Sequence, residues 1–208
     1  TNNPLKYFRF SLDDVFPTTG NYFTDNVDPK RWQQIKQDYD MDLQPWRTEG
    51  NHILICLQRN GGWSMGQTNV VQWCNHTIKR LRKYTDRPIL VRAHPGDRQA
   101  LNYMKKIMPG VVVSQNKSIV TDLINCWATI TFNSSPGVVS AIEGVPVFVT
   151  DPVPQTSQAY DIANFDIKDI ENPKLPDRQQ WIEKICMCHF NYSDLRSGKA
   201  WSIIKDYL

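Results

Sequence analysis

From His52 onward the chain alternates short apolar runs with amphipathic stretches. HILICLQ (52–58) is apolar almost throughout and has the length of a buried strand. The glycine-containing loop RNGGWSMGQT follows. Val70, Val71, Cys74, Ile78 and Leu81 then recur at helical spacing, with Lys79, Arg80, Arg82 and Lys83 on the opposite side. RPILVRA (87–93) predicts a second strand. Pro95 and Gly96 turn the chain, and Asp97 is placed to cap a helix carrying Leu101, Met104 and Met108. VVVS (111–114) predicts a third strand, and Ser118 caps a short helix carrying Ile119 and Leu123. ATITF (128–132) predicts a fourth. NSSPG leads into a helix that stops at Gly144, and VPVFVT (145–150) predicts a fifth strand. Two more helices are expected, over about 177–188 and from 192 to the end.

Strands alternating with helices through short links predict an α/β fold, a doubly wound parallel sheet of five or six strands. Continuously apolar strands agree, because parallel sheets are covered on both faces. Residues 1–50 read differently. They are rich in Asn, Asp, Pro and aromatics and carry Pro4, Pro17, Pro29 and Pro45. One helix is expected there, from Pro29 to about Tyr39, with proline at its start. The expected division is an irregular extension or linker over 1–50 and a sheet domain with C-terminal helices over 51–208. So long an irregular stretch packs onto another surface or is left over from a missing upstream domain.

At 208 residues the chain is long enough for one ordinary domain with extensions. Hydrophobic residues at 40% and charged residues at 22% exclude a disordered chain, a collagen and a coiled coil. No apolar run approaches the ~20 residues of a membrane helix. The net charge of +3 is too weak to predict a nucleic-acid partner. Five cysteines in apolar or unpaired contexts fit a reducing compartment, and the expected location is the cytoplasm. The sequons at Asn75, Asn116, Asn133 and Asn191 are then expected to be unused. The chain starts at Thr1 without a methionine, which suggests a processed product or a piece of a longer chain.

In an open parallel sheet, ligands bind at the carboxyl ends of the strands near a switch in strand order. The residues there are Gln58, Arg59, Asn60, Gly61, Gly62 and Trp63 after the first strand and Arg92, His94, Pro95 and Gly96 at the second. Ser114, Gln115 and Asn116 follow the third, Asn133, Ser134 and Ser135 the fourth, and Thr150 and Asp151 the fifth. Guanidinium, imidazole, hydroxyl and glycine-turn N–H groups suit an anion, and Ser134 and Ser135 open a helix where phosphate is favoured. A phosphate-bearing ligand such as a nucleotide is the inference. Plainer readings stand beside it. The serines are helix caps, His94 is a loop histidine bonded to backbone, and Gly61 and Gly62 form a tight turn. Arg59 and Arg92 are solvated or pair with Asp97 and Glu143. Neither a Walker loop nor GxGxxG occurs, and HExxH, paired CxxC and GxSxG are absent.

VRAHP (91–95) and TFNSSPGVVSAIEGVPVFVT (131–150) resemble the C-terminal half of a GT-B glycosyltransferase, a Rossmann-like domain. The likeness is to the bacterial capsule polysialyl- and Kdo-transferases. It implies that His94 and Pro95, with Ser134 and Ser135, hold the phosphate and ribose of a nucleotide sugar, and that Glu143 holds a ribose. The tail FNYSDLRSGKAW (190–201) resembles phage- and prophage-borne glycosyltransferases. The resemblance covers about residues 50–150 well and the tail weakly. It implies a second domain, or a second chain, that supplies the catalytic base. Within this chain the acidic pair Asp13 and Asp14 is the candidate base, against a turn or cap reading.

The expected function is therefore metal-independent transfer of a sugar from a nucleotide sugar, used as substrate, to a glycan or a modified DNA base. No resident cofactor or metal is expected, and no transmembrane segment. The alternatives are a nucleotide-sugar epimerase and a non-catalytic module binding a nucleotide or a partner. The basic face from Lys79 to Arg87 reads as a solvated helix face before it reads as a DNA contact.

Overall fold

The computed structural model describes residues 7–208; residues 1–6 of the expected extension, with Pro4, lie outside it. The strands are β1 (Tyr7–Arg9), β2 (His52–Cys56), β3 (Ile89–Arg92), β4 (Val112–Val113), β5 (Cys126–Thr131), β6 (Val147–Val149) and β7 (His189–Asn191). The helices are α1 (Pro29–Tyr39), α2 (Val70–Leu81), α3 (Ala100–Met104), α4 (Ile119–Asp122), α5 (Pro136–Ile142), α6 (Gln179–Cys186), α7 (Tyr192–Arg196) and α8 (Lys199–Ile204).

The chain divides into two compact units. One is continuous, residues 43–176, and the other joins residues 1–42 to residues 177–208. This differs from a boundary at 50. Residues 43–50 belong with the sheet: the Gln44 and Arg47 N–H groups donate to Ile142 O and Gly144 O, and Gly50 packs on the Trp127 backbone. The C-terminal helices, expected with the sheet, cluster instead with the N-terminal region.

The sheet unit is a Rossmann-like α/β fold. Its five strands are parallel, in the order β4-β3-β2-β5-β6. Alternate residues of the apolar runs serve opposite faces. Ile53 and Ile55 pack with Val70, Cys74, Ile78 and Leu81 of α2, while Leu54 and Cys56 pack with Leu123, Cys126 and Val145. Ile53, Leu54 and Ile55 are fully buried, which contributes roughly 2 kcal/mol each. The strand order reverses between β2 and β5, the position at which open parallel sheets bind their ligands. The two ends of this unit meet, with Trp46 Nε1 donating to Pro176 O at 2.7 Å.

In the terminal unit β1 pairs antiparallel with β7, Tyr7 opposite Asn191. Phe23, Met187, Cys188 and Phe190 form its core. Arg31 is buried in it, donating to Asp194 at 3.0 Å and to His189 O, with its guanidinium 4.8 Å from the Phe190 ring centroid. The expected final helix is broken at Gly198, which has φ 79°.

Candidate functional site

β3, β2 and β5 are neighbours, so their carboxyl ends place His94, Arg59 and Ser134 in that order along one rim of the sheet unit. Strand spacing sets roughly 10 Å between the loops of His94 and Ser134.

Arg59 and His94 meet over Gly96. A methyl group on Gly96 would lie 2.9 Å from Arg59 Nη2 and 3.2 Å from His94 Cε1. The Gly96 N–H donates to His94 Nδ1 at 3.0 Å. A neutral imidazole that accepts at Nδ1 carries its proton on Nε2 and is a donor there. Burial and then the Arg59 charge hold this histidine below its ordinary pKa, with Asp97 opposing. The neutral form therefore prevails at neutral pH. The backbone-bonded reading of His94 is correct for Nδ1 and leaves Nε2 free to act.

Asp97 binds the two loops together. Its Oδ2 accepts from Asn60 N and Tyr103 Oη, both at 3.0 Å, and Oδ1 accepts from Gln99 N. Burial works against its charge, but these donors and His94 outweigh it and hold the carboxyl below the usual range. The helix expected to start at Asp97 starts at Ala100, because Asp97 turns the chain first. Gly61 has φ 71° and Gly62 N donates to Arg59 O, so the glycines form the tight turn that presents Arg59. Residues 59–60 and 95–99, Pro95 among them, line an open cleft of about 630 Å³. The guanidinium groups of Arg59 and Arg98 have no hydrogen-bond or ion-pair partner among the described residues.

The serines do not behave as caps. Ser135 is exposed and its side chain makes no capping bond, and Ser134 Oγ is buried with no partner. An unsatisfied buried hydroxyl costs about 1–3 kcal/mol and calls for an explanation. The serines are not part of the cleft lining around Arg59. The loops between are locked by a polar network built from Gln58, Asn133 and Asp151, strand-end residues that the sequence placed at the rim, together with Ser64 and Thr156. Gln58 accepts from Asn133 N and donates to Ser64 Oγ. Asn133 Nδ2 in turn donates to Ser64 O, Asp151 and Thr156. Buried polar residues closing two apolar strands were the available signal.

Four expected site residues stand elsewhere. Arg92 is a brace: it donates to Asp122 at 2.5 Å and to the carbonyls of Asn116, Lys117 and Ser118. Asp122, fully buried, also accepts from Ser114 and Asn116, which removes the loop after β4 as a set of anion donors. Glu143 caps the far end of α5, about 10 Å along that helix from the serines. It is not brought to the rim. Asp13 and Asp14 lie in the terminal unit. Asp14 accepts from Thr19 Oγ1 and Val15 N, and those bonds, Thr19 foremost, lower its pKa and weaken it as a base. Asp13 has φ 69°, so the pair forms a turn. Among the described residues no group of three His, Cys, Asp or Glu is placed to hold a metal, and no helix is long and apolar enough to cross a membrane.

Among solved structures the chain overlays the beta Kdo 2,7 transferase of KpsC from Thermosulfurimonas dismutans with a TM-score of 0.58, over 96% of this chain and 73% of that one. It shares a fold with a Kdo transferase. The identity is 14%, so the likeness is one of fold. The beta Kdo 2,4 transferase of the same protein gives a TM-score of 0.45 at 13% identity, over 81% of this chain and 60% of that one. SnogD, a glycosyltransferase from Streptomyces nogalater, gives 0.38 at 14%, over 78% and 44%. No family profile and no curated protein sequence matches the chain.

Proposed function

We infer that the sheet unit binds the nucleotide-sugar donor of a glycosyltransferase at the rim formed by His94, Arg59 and Ser134. The observation that carries this is the His94–Arg59 pair over Gly96: a neutral imidazole with a free Nε2–H beside an unpaired guanidinium. In the transfer, the bond from the sugar's anomeric carbon to the phosphate oxygen breaks and its electron pair passes to that oxygen. The acceptor oxygen bonds to the carbon and loses its proton to a base. His94 Nε2–H and Arg59 stabilise the charge that grows on the phosphate, without need of a metal. Ser134 Oγ finds its missing partner on the bound nucleotide.

Asp97 and Asp151 are poor candidates for the base, because each carboxylate already accepts from three donors. The base therefore comes from outside the sheet unit, from a further domain or a second chain. The acceptor in this reading is a glycan, with a modified DNA base as the second possibility, and the reaction is cytoplasmic.

Calorimetric titration of CMP, UDP, GDP and dTDP into the wild type and His94→Ala tests the reading. The variant should bind the favoured nucleotide about 1.5–3 kcal/mol more weakly, as for a hydrogen bond to a charged group. Equal affinity in His94→Ala, with the fold intact by circular dichroism, refutes it, as does failure of every nucleotide to bind the wild type.

A further inference from the structure

One side chain joins three of the loops at the rim. Asn133 follows β5 and is 8% exposed. Its Nδ2 donates to Ser64 O at 3.0 Å, in the loop after β2. It also donates to Asp151 Oδ2 at 2.7 Å and Thr156 Oγ1 at 3.1 Å, in the loop after β6. Its backbone N–H is engaged separately, with Gln58 Oε1. The partners fix which way the amide points. A carbonyl and a carboxylate only accept, and Thr156 gives its own proton to Asp151 at 2.7 Å or to Val153 O at 2.9 Å. A group with two protons to give fits this place, and a carboxylate of the same shape does not. Asp151 has no cation partner among the described residues; besides Asn133 it accepts from Thr156 Oγ1 and Val153 N. The loop after β2 carries Arg59, and Ser134 follows Asn133 directly. The amide therefore sets the spacing between the two.

We propose that Asn133 is a positioning residue, whose side-chain amide holds the loops after β2, β5 and β6 in the arrangement that ligand binding requires. This rests on the donor-site reading above. The tie depends on a neutral donor. An ionised carboxylate at position 133 would face Ser64 O and Asp151 Oδ2 with no proton to give, and both loops would draw away. Once protonated it could donate to Asp151 and restore part of the tie. Two carboxylates this close share one proton, so one of them titrates well above the usual carboxylate range. Asp151 is the only titratable group among the hydrogen-bond partners of Asn133.

The test is Asn133→Asp in the full chain. Whichever of CMP, UDP, GDP and dTDP binds the wild type best is titrated by calorimetry into variant and wild type between pH 6 and pH 9. The ratio of the two dissociation constants cancels the protonation of the ligand and of His94. It should rise by at least about tenfold from pH 6 to pH 9, with the fold intact by circular dichroism. A ratio level across that range overturns the assignment, whether affinity is kept or lost throughout. If the aspartate variant unfolds, Asn133→Ser carries the test, since it brings in no charge: the folded variant should bind about tenfold more weakly. A shifted urea melt with unchanged affinity limits Asn133 to stability and overturns its positioning role, leaving the donor site standing. Failure of all four nucleotides to bind the wild type overturns the donor site itself, and this proposal with it.

Discussion

Replacing Arg92 by methionine separates a structural arginine from a ligand-binding one. Arg92 closes β3 at the rim, where a phosphate ligand would be expected, yet its guanidinium is spent on Asp122 and on three loop carbonyls. The side chains of the pair are 11% and 0% exposed. Removing one partner of a buried ion pair costs about 3–5 kcal/mol, because the other charge stays buried. Two features pull the figure to the lower end. Asp122 keeps its bonds from Ser114 Oγ and Asn116 Nδ2, and the freed carbonyls are exposed and turn to water. Methionine also preserves the apolar stem. The expectation is a loss of about 3 kcal/mol, or roughly 6–12 °C in Tm for a chain of this size. Urea melts followed by circular dichroism and by tryptophan fluorescence measure it. Nucleotide affinity of the folded variant should stay within about twofold. A variant whose stability changes by less than about 0.5 kcal/mol while its affinity falls tenfold would refute the brace and restore Arg92 to the site.

Gly96→Ala should leave stability within about 0.5 kcal/mol, since the flexible end of Arg59 and the half-exposed His94 ring are what must yield, yet weaken nucleotide binding measurably by calorimetry. Gly144→Ala should do the opposite: its φ of 75° and a methyl group 2.1 Å from Pro45 O cost several kcal/mol in a urea melt. His189 sets a pH dependence. Burial foremost, then the Arg9 and Arg31 charges, push its pKa down, against the bond to Ile185 O. The unfolded chain takes up a proton below about pH 6.5 and the folded chain does not, so stability present above that pH is lost as pH falls, by at most about 1.4 kcal/mol per unit. His189→Gln should flatten this part of the curve between pH 7.5 and 5; an unchanged slope would remove His189 as its source.

The parallel sheet was legible because each strand is an unbroken apolar run and each helix has a local start or stop. Asp28 and Pro29 open α1, Asn69 opens α2, Ser118 opens α4, and Gly144 ends α5. The pairing of β1 with β7 was not, because three residues at each end of the chain carry no periodicity and their contact is non-local. Arg92 looked like Arg59 for a related reason. Both follow strands, and only the fold shows that Asp122, thirty residues on, reaches one and not the other. Glu143 was drawn to the site by its neighbours in sequence, and helix rise carried it away.

The contact between Trp46 and Pro176 bears on the order in which the molecule assembles. Tyr7 and Asn191 stand 184 residues apart along the chain. With the sheet unit unfolded, joining β1 to β7 closes that whole length. Once Trp46 and Pro176 have met, roughly 55 residues of open chain remain to be closed, which lowers the entropy cost by about 1 kcal/mol. The sheet unit thus works as a clasp for the terminal unit. During synthesis β1 waits while the continuous middle folds, and it finds its strand partner only when β7 emerges. Damage to the sheet therefore loosens the terminal unit as well, while damage to the terminal unit leaves the sheet's own closure intact.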